Sequence, residues 1–311
     1  MKTKFYVMVV AVMLCMESCE HKDLVYTDPD TVSLEVIFDW SNAPDADPSS
    51  MRLYLYPKDG REMLHYGFTN RTGGTIRVPR GDYDALFMND DTENNVYRNM
   101  ESPRTFEVST RSVTDLSGSI SSVLPVGPSV HTRGNRYAME TSKLWSGSKE
   151  NIILFPSSKT QKLTVYPDIS YCTYTVEIRN LKNLISVYDL GATLSHLSGG
   201  LLPWTNGKTG EEVTVPLWLA KSGDRTIRGS FLTFGDHPET AEGCLLTIGV
   251  TLSDGQKWSH TVDVTEQVRS AKDPRNVLIA LDGLEIPTSE GGNGFGIEID
   301  EWSDSIIYVP M

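Results

Sequence analysis

Val32-Ser33-Leu34-Glu35-Val36-Ile37-Phe38-Asp39-Trp40 decides the fold class. Val32, Leu34, Val36, Phe38 and Trp40 alternate with Ser33, Glu35, Ile37 and Asp39, a period of two residues that puts one face in a core and leaves the other largely in water. Met51, Leu53 and Leu55 repeat it after a loop, 41–50, that carries Pro44 and Pro48. Further short strands are predicted at 63–68, 75–79, 83–88, 105–108 and 152–155. Asp59-Gly60, Gly73-Gly74 and Gly81-Asp82 separate them, glycine supplying the positive φ that tight turns need. Many short strands at close spacing predict an all-β sandwich or barrel.

The series resumes at 163–166, 171–179, 213–219, 226–234, 244–252, 258–264 and 276–281. Short helices are expected only near 181–190 and 265–272, the second ended by Pro274. A Ser/Thr-rich stretch, 109–123, followed by Pro125 and Pro128, is expected to cross over within the first domain. The predicted organisation is therefore a first β-sandwich over 31–156, a second over 157–287, and a glycine hinge with a C-terminal strand over 288–311. The 311 residues suffice for two ordinary cores.

The N-terminus has another purpose. Lys2 and Lys4 precede an uninterrupted apolar run, 5–15, and Ser18 stands directly before Cys19. The run spans only about 16 Å as a helix against a bilayer core of about 30 Å, so it reads as a removable signal, 1–18, rather than an anchor. Cys19 has the small preceding residue that lipidation needs, whereas Cys15 follows Leu14. Glu17 departs from the small neutral residue usual two places before such a cysteine. A plain secretory signal is the other reading. Residues 19–30 would then be a linker leading from the acylated cysteine to the first strand.

A net charge of -13 argues against nucleic acid, which needs clustered Lys and Arg, and against adhesion to anionic lipid by charge alone. Membrane attachment would come from acyl chains, more than one being required for a stable anchor. Of four cysteines, Cys172 and Cys244 remain in the folded part. Both fall on inward strand parities. In an exported protein they suit a disulfide, and they equally suit two reduced thiols packed as small apolar groups.

Glu20-His21-Lys22-Asp23-Leu24, the strand end Phe38-Asp39-Trp40 and Leu53-Tyr54-Leu55-Tyr56-Pro57-Lys58-Asp59-Gly60 resemble the FimB-type fimbrial-anchor lipoproteins of Bacteroidetes, in a poorly characterised branch. Ile178-Arg179-Asn180-Leu181, Ala192-Thr193-Leu194-Ser195 and the closing Glu298-Ile299-Asp300-Glu301-Trp302 extend the likeness over nearly the whole chain. The resemblance implies two tandem transthyretin-like (Ig-like) sandwiches, an outer-membrane lipoprotein exposed at the cell surface, and fimbrial subunits as partners. It also implies assembly by strand addition. The alternating tail, with Ile297, Ile299, Ile307 and Val309 as contact positions, suits that role, and suits a plain terminal strand as well. Asp30-Thr31-Val32 and Asp304-Ser305-Ile306 fit short O-glycosylation patterns, and Asn70-Arg71-Thr72 the N-glycosylation triplet.

Reactive groupings are scarce. The histidines, at 21, 65, 131, 196, 237 and 260, show no metal-ligand spacing, and Asp90-Asp91-Glu93 lacks the central glycine of a calcium loop. Ser146-Gly147-Ser148-Lys149 and Lys208-Thr209-Gly210 match two marks of penicillin-recognising enzymes, but the serine of those enzymes opens a buried helix and this one stands in a turn-like, all-β context. The expectation is a non-enzymatic protein without cofactor or metal. Six tryptophans carry the alternative, a surface glycan-binding lipoprotein: Trp40, Trp218 and Trp258 are expected in the core, and Trp145, Trp204 and Trp302 in loops or tail where rings stack on sugar.

Overall fold

The computed structural model describes residues 30–113, 136–209, 211–237 and 243–288. The first part holds β1 (Thr31–Phe38), β2 (Met51–Pro57), β3 (Leu64–Phe68), β4 (Gly73–Pro79), β5 (Gly81–Asn89), β6 (Asn95–Arg98) and β7 (Glu107–Thr110). It continues with β8 (Arg136–Tyr137), β9 (Trp145–Leu154), β10 (Gln161–Val165) and β11 (Asp168–Ile169). The later part holds β12 (Cys172–Arg179), β13 (Val187–Ser198), β14 (Gly200–Leu202), β15 (Gly207–Lys208), β16 (Glu212–Trp218) and β17 (Ala220–Gly223). It ends with β18 (Thr226–Thr233), β19 (Leu245–Leu252), β20 (Lys257–Asp263), helix α1 (Thr265–Arg269) and β21 (Asn276–Asp282). The fold is all-β and built of sandwiches.

The first sandwich sets a three-stranded sheet, β10-β1-β4, against a five-stranded one, β11-β9-β5-β2-β3. Val32, Leu34, Val36 and Phe38 are 1–3% exposed and meet Leu53, Leu55, Ala85 and Phe87 in one core. Gly73, at φ 103°, ends the turn into β4, where a Cβ would stand 2.1 Å from the Val36 carbonyl oxygen. The second sandwich pairs β17-β18-β12-β21 with β20-β19-β13-β16-β8 over a core that includes Tyr174, Val176, Leu194, Val215, Ile248 and Ile279.

A third sheet, β15-β14-β7-β6, takes two strands from each part of the chain. It covers the outer face of β2 and β5, where Tyr54, Tyr56, Leu86 and Met88 join Phe106, Val108, Leu201 and Phe234 in a separate core. Being buried on both faces, β2 and β5 read as continuous apolar runs, Leu53-Tyr54-Leu55-Tyr56 and Ala85-Leu86-Phe87-Met88, rather than as alternation.

Three expectations are corrected. The change of domain expected at 156/157 falls later, because β10 pairs in parallel with β1 and β11 pairs with β9, so the first sandwich continues to about Tyr171. The two sandwiches are also interleaved: β8 lies in parallel beside β16 of the second, after which the chain returns to the first as β9. The expected crossover through the Ser/Thr-rich stretch 109–123 lies, beyond Val113, outside the described residues. Finally, the helix expected near 181–190 is a single 3-10 turn, Leu184–Ser186, followed by the twelve-residue strand β13.

Candidate functional site

Cys19 and the tail positions Ile297, Ile299, Ile307 and Val309 lie outside the described residues, as do Trp302 and Ser305. The chain enters at Asp30, whose carboxylate pairs with Arg80 at 2.8 Å and whose carbonyl accepts the Arg80 amide, also at 2.8 Å. The first strand is thus fastened at its base. Within the short glycosylation patterns, the Thr31 hydroxyl accepts from Arg77 Nη2 at 3.1 Å. Asn70 Oδ1 caps its own turn, accepting from the Thr72 and Gly73 amides at 2.8 Å each.

Cys172 and Cys244 are both free thiols. They flank the Gly235-Asp236 turn: Cys172 Sγ would lie 3.4 Å from a Cβ at Gly235, and Cys244 Sγ donates to Asp236 Oδ1 at 3.2 Å. Asp236 Oδ2 in turn accepts from Arg269 Nε at 2.9 Å. Burial pushes both thiols up, and the Asp236 carboxylate beside Cys244 pushes the same way. Thiols held protonated in this way are poor nucleophiles.

The penicillin-enzyme motifs do not come together. Ser146 lies on β9, its Oγ 2.7 Å from that of Ser170, while Lys149 Nζ donates to the Thr164 carbonyl. Lys208 Nζ donates to the Asp236 carbonyl and Thr209 Oγ1 to Glu107 Oε1. One polar row was not legible in the sequence: Ser195 Oγ is 2.6 Å from His196 Nδ1, and His196 Nε2 is 3.1 Å from Glu212 Oε1. With Nε2 facing a carboxylate, the ring proton belongs there and Nδ1 accepts from Ser195. Ser195 Oγ also accepts the Leu245 amide at 3.2 Å, so the row ties a bulge in β13 to its neighbours on both sides. His196 and Glu212 sit on adjacent strands sixteen positions apart, a separation no short motif spans.

A cavity of about 320 Å³ opens at the end of the first sandwich, lined by Asp45, Asp47, Asn89, Asp91, Lys143 and Trp145. Partial burial opposes ionisation of Asp91. Hydrogen bonds from Ser49 and Asn89 outweigh it and hold the carboxyl below its ordinary range. Among the described residues, no three His, Cys, Asp or Glu side chains stand where they could share a metal ion.

The tryptophans divide differently from expectation. Trp145 is buried on β9, edge-on to Trp40 at 6.2 Å and to Tyr171 at 5.9 Å. Trp204 packs on the third core with the Arg104 guanidinium 5.1 Å over its ring. Neither offers a bare face to a sugar. Trp218, expected inside, is 48% exposed at the end of β16.

Edge strands determine what can be added to such a fold, because an edge presents unpaired backbone groups. The outer strands of the second sandwich are β17, β20, β21 and the two-residue β8. Helix α1 shields part of β21, where Gln267 Oε1 accepts the Ala280 amide at 2.8 Å.

The chain is 20% identical over 323 aligned positions to a protein named as the fimbrium anchoring subunit Fim4B of Bacteroides ovatus, covering 96% of this chain and 95% of that one. A crystal structure from Bacteroides ovatus, named as an adhesin, superposes with a TM-score of 0.65 at 19% identity, covering 88% and 98% of the two chains. A structure from Bacteroides thetaiotaomicron, named for polysaccharide binding, gives a TM-score of 0.50 at 10% identity over 82% and 91%. At these identities the structures speak for the fold. The family model for Domain of unknown function DUF5119 matches residues 18–217, most of the chain and parts of both sandwiches, so the protein belongs to the DUF5119 family.

Proposed function

We propose that this protein is a non-enzymatic structural subunit of a surface fimbria, acting as its anchor at the outer membrane. The observation that carries the reading is end-to-end similarity to the Bacteroides ovatus fimbrium anchoring subunit, which spans 96% of one chain and 95% of the other rather than a shared module. Two features add support. Cys19 follows an export signal and a small residue, as lipidation requires. Strands from both parts of the chain share one sheet, which ties the two sandwiches together, as suits a part that transmits load between a membrane and a fibre.

In this reading, acyl chains on Cys19 hold the protein in the outer membrane, and a strand-forming segment, with Ile297, Ile299, Ile307 and Val309 as its anchors, joins a partner subunit through backbone pairing and alternate side-chain pockets. Cys19→Ala should shift the protein from the membrane to the soluble fraction and release fimbriae from cells into the medium. Retention of both on the cell surface would overturn the proposal.

A further inference from the structure

Strand register places a distinct set of groups at the end of the first sandwich where the chain enters. Thr31 lies opposite Pro79, Gly81 opposite Leu154 and Pro57 opposite Tyr83, while Gln161 sits beside Leu34. Asp30, the turn 58–63, Arg80 and the loop 155–160 therefore share one end. Ile153 and Phe155 stand there at 64% and 58% exposure, on the outward side of β9, whose intervening Ile152 and Leu154 are buried at 7% and 4%. The short strand β11 flanks β9 only at Trp145 and Ser146, and at the far end the Gln161 side chain accepts the Phe155 amide at 3.4 Å and donates to its carbonyl at 2.9 Å, leaving the Ile153 and Phe155 side chains facing water.

Charge separates the two ends as well. The entry end carries Lys58, Arg61, Arg80, Lys159 and Lys162 among its carboxylates, such as Asp30, Asp59 and Glu35. The opposite end carries Asp45, Asp47, Asp90 and Asp91 with fewer cations among them, Arg52, Arg71 and Lys143. In a chain of net charge -13, the entry end is thus the one that meets an anionic surface with least repulsion.

Ten residues, 20–29, separate Cys19 from Asp30, a contour of at most about 40 Å over the eleven steps, and the body begins at this end. A lipid on Cys19 would therefore bring this face, and not the acidic one, to the bilayer. We infer that Ile153 and Phe155 form a second, non-covalent membrane contact, entering the interface of the same bilayer that holds the acyl chains and setting the body upright on it. The inference rests on the lipid-anchor reading above.

The test uses the lipidated full chain in vesicles of phosphatidylethanolamine and phosphatidylglycerol, with a nitroxide at S158C in the exposed loop, or at D47C on the opposite end. Lipid-soluble oxygen should relax the label at 158 more than aqueous chromium oxalate does, and the order should reverse at 47. In the I153S/F155S double variant, whose changed side chains already face water, the 158 label should turn water-accessible while the chain stays on the vesicles. A water-accessible 158 in the unsubstituted, vesicle-bound chain overturns the inference, as does shielding of 158 only when another protein is added. Failure to bind vesicles, with no acyl mass on the N-terminus, overturns the lipid anchor instead. The label at 158 is then read with the chain from residue 19 held by an N-terminal hexahistidine on nickel-chelating lipid, where a lipid-accessible 158 still supports the contact and a water-accessible one overturns it.

Discussion

Arg136 donates to Glu211 through both carboxylate oxygens, Nε to Oε1 at 2.9 Å and Nη2 to Oε2 at 3.0 Å. The same guanidinium reaches the Thr110 carbonyl at 2.9 Å from Nη1, and Arg98 adds a longer contact to Glu211 at 3.4 Å. Arg98 and Thr110 belong to the third sheet and Arg136 to the second sandwich, so one carboxylate closes the seam between them. Partial burial opposes its ionisation, but the hydrogen bond and charge of Arg136 outweigh this and lower its pKa from 4.5. A depressed carboxyl contributes stability above its unfolded pKa and loses it as pH falls. The seam should weaken below about pH 4.5. Glu211→Gln should cost about 1 kcal/mol at pH 7, a modest figure because the side chain is partly exposed, and should flatten the acid limb of stability measured by urea titration.

Asn89 is 1% exposed and makes three bonds from one side chain: its Oδ1 accepts the Trp145 amide at 2.8 Å, and its Nδ2 donates to Asp91 at 2.7 Å and to the Lys143 carbonyl at 3.0 Å. It joins the end of β5 to the start of β9. Asn89→Ala strands a buried amide and a carbonyl, each costing about 1–3 kcal/mol, so a loss of about 3 kcal/mol and a fall in Tm of roughly 6–10 °C are expected by calorimetry. Unchanged Tm would show that water replaces the side chain.

Gly229 lies on β18, packed against the corner where the chain passes from β16 into β17. A Cβ there would meet the Trp218 carbonyl oxygen at 2.1 Å, a backbone atom that cannot swing aside. Gly229→Ala should cost about 3 kcal/mol. Gly223→Ala is the control, since the nearest atom to its Cβ is 3.9 Å away. Chemical denaturation that ranks the two equally would show the corner to be pliable.

Cys172 and Cys244 should resist iodoacetamide at pH 8 in the native protein, since burial raises both thiols. Both should label after denaturation without reductant. Labelling only after reduction, with a mass two hydrogens lower beforehand, would instead show the disulfide that strand parity also allows.

The strands whose alternation is undisturbed were legible, β1 above all. Strand β13 was not, and its bulges explain why. Register shifts between Val187 and Asp189 and between Leu194 and Leu197 each displace the alternation, with His196 at φ 60° in the second. Buried Val187, Leu190, Leu194 and Leu197 are thereby spaced three, four and three apart, the signature of a helix face. The place of β10 was hidden for another reason: its side chains suit either sandwich, and only a long-range parallel pairing assigns it to the first. Trp145 was misjudged because Ser146, Gly147 and Ser148 beside it read as a turn, whereas Gly147 lies in a strand where a Cβ would stand 2.7 Å from the Phe87 ring. The polar row through His196 depends on contacts between strands, which no local pattern reports.

The second core closes at Ile286, which is fully buried and held by its amide to the Lys182 carbonyl at 3.3 Å and by its carbonyl to Asn183 Nδ2 at 2.7 Å. Truncation after residue 290 leaves that closure and every core residue before it in place, so Tm should change by less than about 2 °C, within the range of changes far from packed groups. Assembly is the other readout. If Ile297, Ile299, Ile307 and Val309 seat the tail in a partner, the truncated chain should stay on the membrane while fimbrial subunits no longer co-purify with it, and Ile299→Asp should reproduce part of that loss by placing a charge in an apolar pocket. A truncated chain that keeps both its stability and its partner would assign strand exchange to another edge, with β17 and β20 the next to test. A truncated chain that unfolds would assign the tail to the protein's own sheet.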